Sequence, residues 1–339
     1  MALVLDGLVK RFGAITALDG ISFEVARGEV FGFLGANGAG KTTTMRIVLD
    51  ILRPDAGTAT WDGTPTTDVP RETWGYLPEE RGLYPRLEVL DQLVFFASLY
   101  GIPRDVAAAR GREWLARFRI PEYEKRRAEE LSKGNQQKVQ LIAAILHEPA
   151  VLLMDEPFVG LDPVNVALLK EAFDEMRERG STLVFSTHQM DMVEELCESV
   201  ALIDKGRLVL AGPLRDVKRS TGRRVVRLAL DGKTIEADGS DGASAVPWLA
   251  SVPGVRISRV GQDYTELDVD RDVDPESILR AALDHGERVT NFLIADPSIE
   301  EIFIEKVGRP PSEDHHLAGP GDRASGEPPA PAAPVGAGS

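Results

Sequence analysis

The 339-residue sequence lacks several features that would define other classes of protein. It contains one cysteine, Cys197, so an intramolecular disulfide is excluded. Its most apolar stretch, residues 93–102, is far shorter than the roughly 20 residues that a membrane-spanning helix needs. Charged residues interrupt the N-terminus where a signal peptide needs an apolar run. These absences predict a soluble protein and fit a reducing compartment.

An excess of basic residues is also missing. The chain has 39 Lys and Arg against 54 Asp and Glu, which gives a net charge of −15 at pH 7. Because a basic surface supplies most non-specific affinity for DNA or RNA, this balance argues against a nucleic-acid partner. Hydrophobic residues make up 43% of the chain, enough for a sizeable core. Length and composition together predict roughly two domains.

The order of predicted elements divides the chain into three parts. Residues 1–218 alternate strand-like and helix-like segments, as an α/β domain does. Residues 222–306 begin afresh with strands and continue with helices, which predicts a small α+β domain. Residues 308–339 hold 7 of the 22 prolines and almost no large apolar residues, so we expect a disordered tail. The elements predicted in the second part are strands within 225–230 and 255–269 and helices over 275–285 and 299–307.

A phosphate-binding loop follows the first buried strand of the α/β part. The apolar run 30–34 leads into GANGAGKT, which fits GxxxxGK[ST], and residues 41–52 then have helical spacing up to Pro54. Glycines let backbone N–H groups surround phosphates at the helix N-terminus. Lys41 adds a positive charge for the β- and γ-phosphates, and the Thr42 hydroxyl can ligate Mg²⁺. The predicted phosphate-binding residues are Gly35, Asn37, Gly38, Gly40, Lys41, Thr42 and Thr43.

Further buried strands end in candidate catalytic groups. The run 151–154 leads to Asp155 and Glu156, and the run 181–187 leads to His188. We predict that Asp155 holds Mg²⁺ directly or through water, and that Glu156 polarises or orients the attacking water. His188 would contact the γ-phosphate or that water. Two acids after a strand are usually solvated and a lone histidine is usually structural, but the upstream phosphate loop favours the catalytic interpretation.

The segment LSKGN, residues 131–135, resembles the LSGGQ signature of ATP-binding cassette (ABC) ATPases. A serine and a glycine precede a helix predicted over 136–146. The serine hydroxyl and the positive end of the helix dipole would therefore be available to bind an anion. The resemblance implies that this second anion site binds the γ-phosphate of an ATP held by another cassette. Its predicted residues are Ser132, Lys133, Gly134 and Asn135, of which Lys133 and Asn135 depart from the family pattern.

Other positions match the same family. Phe12 corresponds to the aromatic residue that stacks on adenine, with core packing as the alternative interpretation. Asp162, in the sequence GLDP, corresponds to the loop that crosses the dimer interface. Glu79 stands in the glutamine loop, where a carboxylate replaces the family's amide and can still bind Mg²⁺ or water. The resemblance covers about residues 1–218.

The resemblance implies an α/β fold of the P-loop NTPase type: an ABC cassette with a mixed sheet core, an antiparallel β subdomain and a helical subdomain over about 85–148. It further implies that the protein binds ATP and Mg²⁺ and hydrolyses ATP. A homodimer or heterodimer of cassettes would drive a separate polytopic permease from the cytoplasmic face of the membrane. Three features resemble one branch, the ATPase subunits of bacterial efflux-type (ABC-2) transporters for sodium export and antibiotic resistance. They are residues 77–84, the LSKGN variant and an added C-terminal domain that ends in residues 296–303.

Two other functions stay open at this point. A soluble cassette ATPase could act on ribosomes or nucleic acid, but the chain has one P-loop, no heptads over residues 43–130 and an acidic net charge. A regulator that merely binds ATP would not require Glu156 and His188. Both alternatives are therefore disfavoured.

Overall fold

The structure is a computed structural model that describes residues 3–80, 82–231, 248–249, 252–260, 264–270 and 272–308. From residue 309 onward, the predicted tail lies outside the described residues. Among the helices of these ranges, none combines the length and the apolar composition that crossing a membrane requires.

Strands and helices alternate along most of the described chain. The strands are β1 (Leu3–Phe12), β2 (Ile15–Val25), β3 (Val30–Leu34), β4 (Ala56–Trp61), β5 (Thr64–Pro65), β6 (Trp74–Leu77), β7 (Val151–Asp155), β8 (Thr182–Thr187), β9 (Ser199–Asp204), β10 (Arg207–Pro213), β11 (Arg224–Leu230), β12 (Val255–Val260), β13 (Thr265–Val269) and β14 (Val289–Ala295). The helices are α1 (Lys41–Val48), α2 (Val89–Leu99), α3 (Arg104–Arg117), α4 (Lys133–Ile145), α5 (Pro163–Glu178), α6 (Met190–Leu196), α7 (Leu214–Ser220), α8 (Glu276–Asp284) and α9 (Ile299–Val307).

The central sheet is mixed, with the strand order β10-β9-β3-β8-β7-β6. Five of these strands, β9, β3, β8, β7 and β6, are parallel to one another, and β10 pairs antiparallel with β9 at the edge. In parallel strands the carboxyl ends meet at one edge of the sheet, which is where open α/β folds bind ligands. The loops after β3, β6, β7 and β8 therefore lie together, and they carry the predicted phosphate loop, Glu79, the carboxylate pair and His188.

Each face of the central sheet is covered by its own hydrophobic core. On one face an antiparallel sheet, in the order β2-β1-β4-β5, packs together with α1, and Phe23 stacks on Phe31 with ring centroids 5.3 Å apart. On the other face, helices α2 to α6 bury residues such as Leu93, Phe173 and Phe185. The mixed core sheet, the antiparallel sheet and the helical segment confirm the predicted cassette architecture.

Helix α1 is shorter than the prediction of 41–52. It ends at Val48 because Asp50 adopts a left-handed conformation, with φ of 54°. The backbone N–H groups of Ile51 and Leu52 then donate to the Arg46 carbonyl at 2.8 and 3.0 Å, which satisfies a free end of the helix. The turn therefore precedes Pro54 instead of depending on it.

The C-terminal sheet is antiparallel, in the order β12-β13-β11-β14, and α8 packs against it. The predicted helices over 275–285 and 299–307 are confirmed as α8 and α9, and the region 255–269 contains β12 and β13. Sequence analysis missed β14. This edge strand is partly exposed on both faces, so its side chains carry no alternation of apolar and polar residues that would reveal a strand.

Candidate nucleotide-binding site

The loop between β3 and α1 needs glycine for two different reasons. A Cβ atom on Gly35 would lie 2.6 Å from the Ile203 carbonyl oxygen, so the loop passes too close to β9 for a side chain. Gly40 has φ of 111° and caps α1 without a side-chain hydrogen bond. The loop therefore ends at a helix N-terminus whose backbone dipole favours an anion.

Lys41 is buried at the start of α1. Its ammonium group donates to the Gly35 carbonyl at 2.7 Å and lies 3.4 Å from Glu156 Oε1. A buried ammonium needs partners of this kind, because desolvation of an unpaired charge is costly. The loop and the carboxylate thus hold the positive charge in place beside the helix N-terminus.

Asp155, at the end of β7, accepts hydrogen bonds on both carboxylate oxygens. Thr42 Oγ1 donates to Oδ2 at 2.6 Å, and Ser186 Oγ donates to Oδ1. The structure therefore brings together two residues predicted to ligate Mg²⁺. Sequence analysis missed Ser186, for which the available signal was a hydroxyl in an otherwise apolar strand, β8.

Glu156 is buried and is held in a left-handed conformation, with φ of 50°. Its backbone N–H donates to the Ser186 carbonyl at 3.1 Å, and His188 Nδ1 donates to its Oε1 at 3.0 Å. Its other oxygen, Oε2, has no hydrogen-bond partner among the described residues. Strained backbone and an unsatisfied buried oxygen are both costly, and they are found most often at functional sites.

A cleft with a volume of about 900 Å³ opens over these groups. Glu79 lines it, and burial, together with the charges of Asp155 and Glu156, raises the pKa of the Glu79 carboxyl. The structure therefore places Glu79 in the same cleft as the Asp155–Glu156 pair, and its predicted binding of Mg²⁺ or water stays a prediction. The cleft is also lined by the predicted residues Asn37, Gly38, Gly40, Lys41, Thr42 and Thr43 and by Ala17, Arg46 and Tyr76.

The donor set of the cleft fits Mg²⁺ bound together with a nucleotide. Within the described ranges, no group of three or more His, Cys, Asp or Glu side chains is arranged to hold a metal ion. Mg²⁺ commonly takes one or two carboxylates and completes its shell with water and substrate phosphates. The Thr42 hydroxyl and the Asp155 carboxylate, 2.6 Å apart, supply oxygen ligands of this type.

Phe12 lies at the end of β1 and is 47% exposed, which excludes the core-packing alternative. The Lys10 ammonium lies 5.5 Å from the centre of its ring. Phe12 is not among the residues that line the cleft in the described chain. Its stacking on adenine stays a prediction.

The signature segment lies outside the cleft, and its helix begins earlier than predicted. Helix α4 starts at Lys133 instead of Gln136, because the Ser132 hydroxyl caps it by accepting from the Asn135 backbone N–H at 3.3 Å. Lys133, Gly134 and Asn135 thus form the first helical turn. Asp162 caps α5 in the same way through the Asn165 N–H at 3.0 Å.

The first turns of α4 and α5 are neighbours. A Cβ atom on Gly134 would lie 3.5 Å from the Asn165 side-chain nitrogen, so the signature and the Asp162 loop are neighbours. None of the signature residues lines the cleft of the described chain. The N-terminus of α4 therefore lies outside the cleft that the phosphate loop of its own chain lines.

The fold and the cleft define a P-loop nucleotide-binding protein. The pattern of the ABC transporter family matches residues 18–159, and that of the DrrA1-3-like ATP-binding protein C-terminal domain matches residues 212–307. A solved structure of an ATP-binding subunit of an ABC transporter superposes with a TM-score of 0.62 at 32% identity. The superposition covers 66% of this chain and 94% of the solved chain.

Relatives extend the similarity into the C-terminal domain. An uncharacterized ABC transporter ATP-binding protein of Bacillus subtilis is 42% identical over 306 residues, which are 90% of this chain and 98% of the relative. A linearmycin resistance ATP-binding protein of the same organism is 30% identical over 308 residues, covering 90% and 97%. The chain belongs to the ATP-binding proteins of ABC transporters, in the group that carries the DrrA-like C-terminal domain.

Proposed function

We propose that this protein hydrolyses ATP with Mg²⁺ and thereby powers the permease of an ABC exporter. The observation that carries the hydrolytic step is the environment of Glu156. One of its oxygens accepts a hydrogen bond from His188, and the other is buried with no hydrogen-bond partner among the residues that the structure describes. A carboxylate arranged in this way can accept a proton from an attacking water.

Each group in the cleft has a different role in the proposed reaction. The N-terminus of α1 and the Lys41 ammonium bind the phosphates, while Thr42 and Asp155 would hold Mg²⁺. Mg²⁺, when bound, neutralises charge on the phosphates. Glu156 takes the proton of the attacking water, and the His188 N–H orients the Glu156 carboxylate through the 3.0 Å hydrogen bond. Glu79, which lines the same cleft, would contact the metal or the water.

The position of the signature supports a dimer as the active form. Ser132, Lys133, Gly134 and Asn135 lie at an exposed or half-exposed helix start outside their own cleft. A second cassette, identical or related, would present its signature to the γ-phosphate, and Asp162 would lie at the same interface. Because ATP would contact both halves in the closed state, its binding would favour closure, and hydrolysis would reopen the dimer.

An exposed aromatic cluster on the helical segment supports a permease contact. Tyr84 lies 5.8 Å from both Phe95 and Phe96, measured between ring centroids, and Leu87 and Leu99 beside it are exposed. Tyr84 follows the Glu79 loop closely, so a partner bound here would respond to movements of the cleft. We propose that a cytoplasmic segment of the permease binds this cluster and holds the protein at the cytoplasmic face of the membrane.

The direction of transport is proposed from the relatives. The linearmycin resistance protein shares both the cassette and the C-terminal domain with this chain. Resistance by transport requires export, so we propose an exporter of the efflux (ABC-2) type.

The hydrolytic role is tested by Glu156→Gln. The amide cannot take a proton from water, so ATP hydrolysis should fall at least about tenfold while ATP still binds. Phosphate release and binding of a fluorescent ATP analogue measure the two properties. Glu72→Gln, an exposed carboxylate outside the cleft, is the matched control. Near-normal turnover of Glu156→Gln would remove Glu156 from this role.

The transport role is tested by purifying the protein from its native membranes in mild detergent and identifying co-purifying proteins by mass spectrometry. We expect a polytopic membrane protein in near-equal amount. Replacing Tyr84 with Ser should reduce its recovery, and the exposed Glu72→Gln variant should not. Recovery of ribosomal or DNA-bound proteins without a membrane protein would contradict the proposal and favour the soluble alternative.

A further inference from the structure

Helix α9 follows the C-terminal sheet in sequence but belongs to the core of the cassette. Its apolar residues Ile299, Ile302 and Phe303 are buried in the same cluster as Val193 and Cys197 of α6 and its flank. The C-terminal sheet and α8 have a separate core, to which α9 contributes no buried residue among those described. The last helix of the described chain is therefore a structural part of the ATPase.

A single carboxylate on α6 joins three helices. Glu194 Oε1 accepts a hydrogen bond from the Ile299 backbone N–H at 2.5 Å, at the start of α9. Glu194 Oε2 pairs with the Lys218 ammonium of α7 at 2.5 Å. Both interactions involve the charged Glu194 carboxylate. Hydrogen bonds to a charged group are stronger than those between neutral groups. Glu194 therefore fixes α6 between the two elements that flank the C-terminal sheet.

Helix α6 in turn begins two residues after His188. The intervening Gln189 N–H donates to Thr187 Oγ1 at 2.9 Å, so a short and bonded turn connects the histidine to the helix. Val193 of α6 is so close to β3 that a Cβ atom on Gly32 would lie 2.8 Å from it. Because the interior is close-packed, α6 cannot shift without moving either His188 or the strand that leads to the phosphate loop.

We propose that Glu194 is a positioning residue: together with α9 it holds α6 so that His188 stays hydrogen-bonded to Glu156. This inference deepens the proposed function and rests on it for the consequence in turnover. It gives the C-terminal domain a role in the reaction, because any partner that displaces α9 would act on His188 through a continuous line of packed and bonded residues.

The kinetic test compares two neighbouring carboxylates of α6 in the full-length chain. Glu194→Ala should lower kcat for ATP about tenfold and change the affinity for ATP by less than about twofold, because the phosphate loop is untouched. Glu195→Ala is the matched control. Glu195 also pairs with a lysine at 2.5 Å, but that lysine is Lys170 of α5, so its loss should leave kcat within about twofold of the wild type.

A spectroscopic test separates positioning from a loss of stability. The chain has five histidines, so isotope-labelled histidine gives few signals, and His188→Gln identifies the signal of His188. Glu194→Ala should shift or broaden that signal and leave the signal of His147 in place. Glu194→Gln keeps an acceptor for the Ile299 N–H but loses the charge facing Lys218, so its effect should be intermediate. This second variant also serves if Glu194→Ala does not fold.

The outcomes separate the two proposals. A lowered melting temperature with an unchanged His188 signal and unchanged kcat in the Glu194 variants would overturn the positioning role, and the proposed hydrolysis would still stand. A wild-type protein that binds ATP without hydrolysing it would instead remove the proposed function. The His188 signal would then still report whether Glu194 positions the imidazole.

Discussion

Two helices of this protein begin at a predicted phosphate-binding segment, and their surroundings differ. Helix α1 starts at Lys41, after its cap Gly40, inside a cleft of about 900 Å³ that the Asp155–Glu156 pair also lines. Helix α4 starts at Lys133 on the surface, after its cap Ser132, and its described first turn contains no acidic residue. The start of the first helix combines backbone N–H groups with a buried ammonium and nearby carboxylates, whereas the start of the second offers the anion preference of a helix N-terminus.

Under the proposed dimer, each chain would contribute its own cleft and, through the start of α4, part of the site of its partner. The two regions are nevertheless connected within the chain. The Gln140 side chain of α4 donates from Nε2 to the Glu80 carbonyl at 3.0 Å, next to Glu79 in the wall of the cleft. This hydrogen bond connects α4 directly to the wall of the cleft, a link that the proposed closure of a dimer would require.

The largest expected effect comes from a substitution at the start of α1. Lys41→Ala removes the charge that the cleft offers to the phosphates, so the affinity for ATP should fall about 10- to 100-fold, in line with the loss of a charge-assisted hydrogen bond. Lys133→Ala, at the start of α4, is the matched control and should leave the affinity of the isolated chain within about twofold. Titration with a fluorescent nucleotide analogue measures both. Equal losses would show that the two helix starts do not differ as described.

The next largest effect is expected from a substitution in the first turn of α4. Gly134→Asp places a carboxylate where the partner's γ-phosphate is proposed to bind, so hydrolysis should fall at least about tenfold with unchanged ATP affinity. Steric strain is not the cause, because a Cβ atom at Gly134 meets the Asn165 side chain at an ordinary 3.5 Å.

Gly134→Ala is therefore the control for Gly134→Asp and should keep most of the activity. Phosphate release as a function of protein concentration, together with the fraction of dimer in the presence of ATP, provides the measurement. A Gly134→Asp variant with wild-type hydrolysis would contradict the proposal that the signature binds the partner's γ-phosphate.

A smaller effect, on stability, is expected from a substitution in the Asp162 loop beside the signature. Asp162→Ala removes the cap of α5, whose carboxylate accepts from the Asn165 backbone at 3.0 Å and from its side chain at 2.6 Å. The free energy of unfolding should fall by about 1 kcal/mol. Urea denaturation measures it, and Asp162→Asn, which keeps a capping oxygen, should recover most of the loss. If Asp162→Ala leaves the stability unchanged, the cap does not stabilise α5 in solution.

The smallest effect concerns the opposite end of α4, which His147 attaches to β6. His147 Nε2 donates to the Trp74 carbonyl at 3.0 Å, while Nδ1 is buried without a partner in the described residues. Burial lowers the pKa of His147 below its ordinary value of 6.5. Protons therefore bind the unfolded chain more readily, and the stability present above about pH 6.5 should decline as the pH falls below it.

The melting temperature between pH 7 and pH 5 measures this decline. His147→Gln should make the melting temperature less dependent on pH, whereas His285→Gln, which changes an exposed histidine, should not. The same pH dependence in the wild type and in His147→Gln would show that another group is responsible.

Most of the nucleotide cleft was predictable because its signals are local. Glycine spacing, the lysine and threonine after it, and apolar runs that end in Asp155–Glu156 and His188 each occupy a few consecutive residues. Helix ends were less predictable. The spacing of apolar residues extended α1 to Leu52 and started α4 at Gln136, whereas left-handed Asp50 and the Ser132 cap set the observed ends. These depend on backbone conformation, which apolar periodicity does not register.

By itself, the sequence determined the class of protein, the phosphate loop, the carboxylate pair and the signature, since each depends on neighbouring residues in a strand, a turn and a helix. The tertiary structure alone decided the partners that stabilise and couple them. Ser186 meets Asp155 across 31 residues, Gln140 meets the Glu80 carbonyl across 60, and Glu194 meets Ile299 across 105. The physical reason is that such contacts depend on how sheets and helices pack, and packing brings together residues that no local pattern connects.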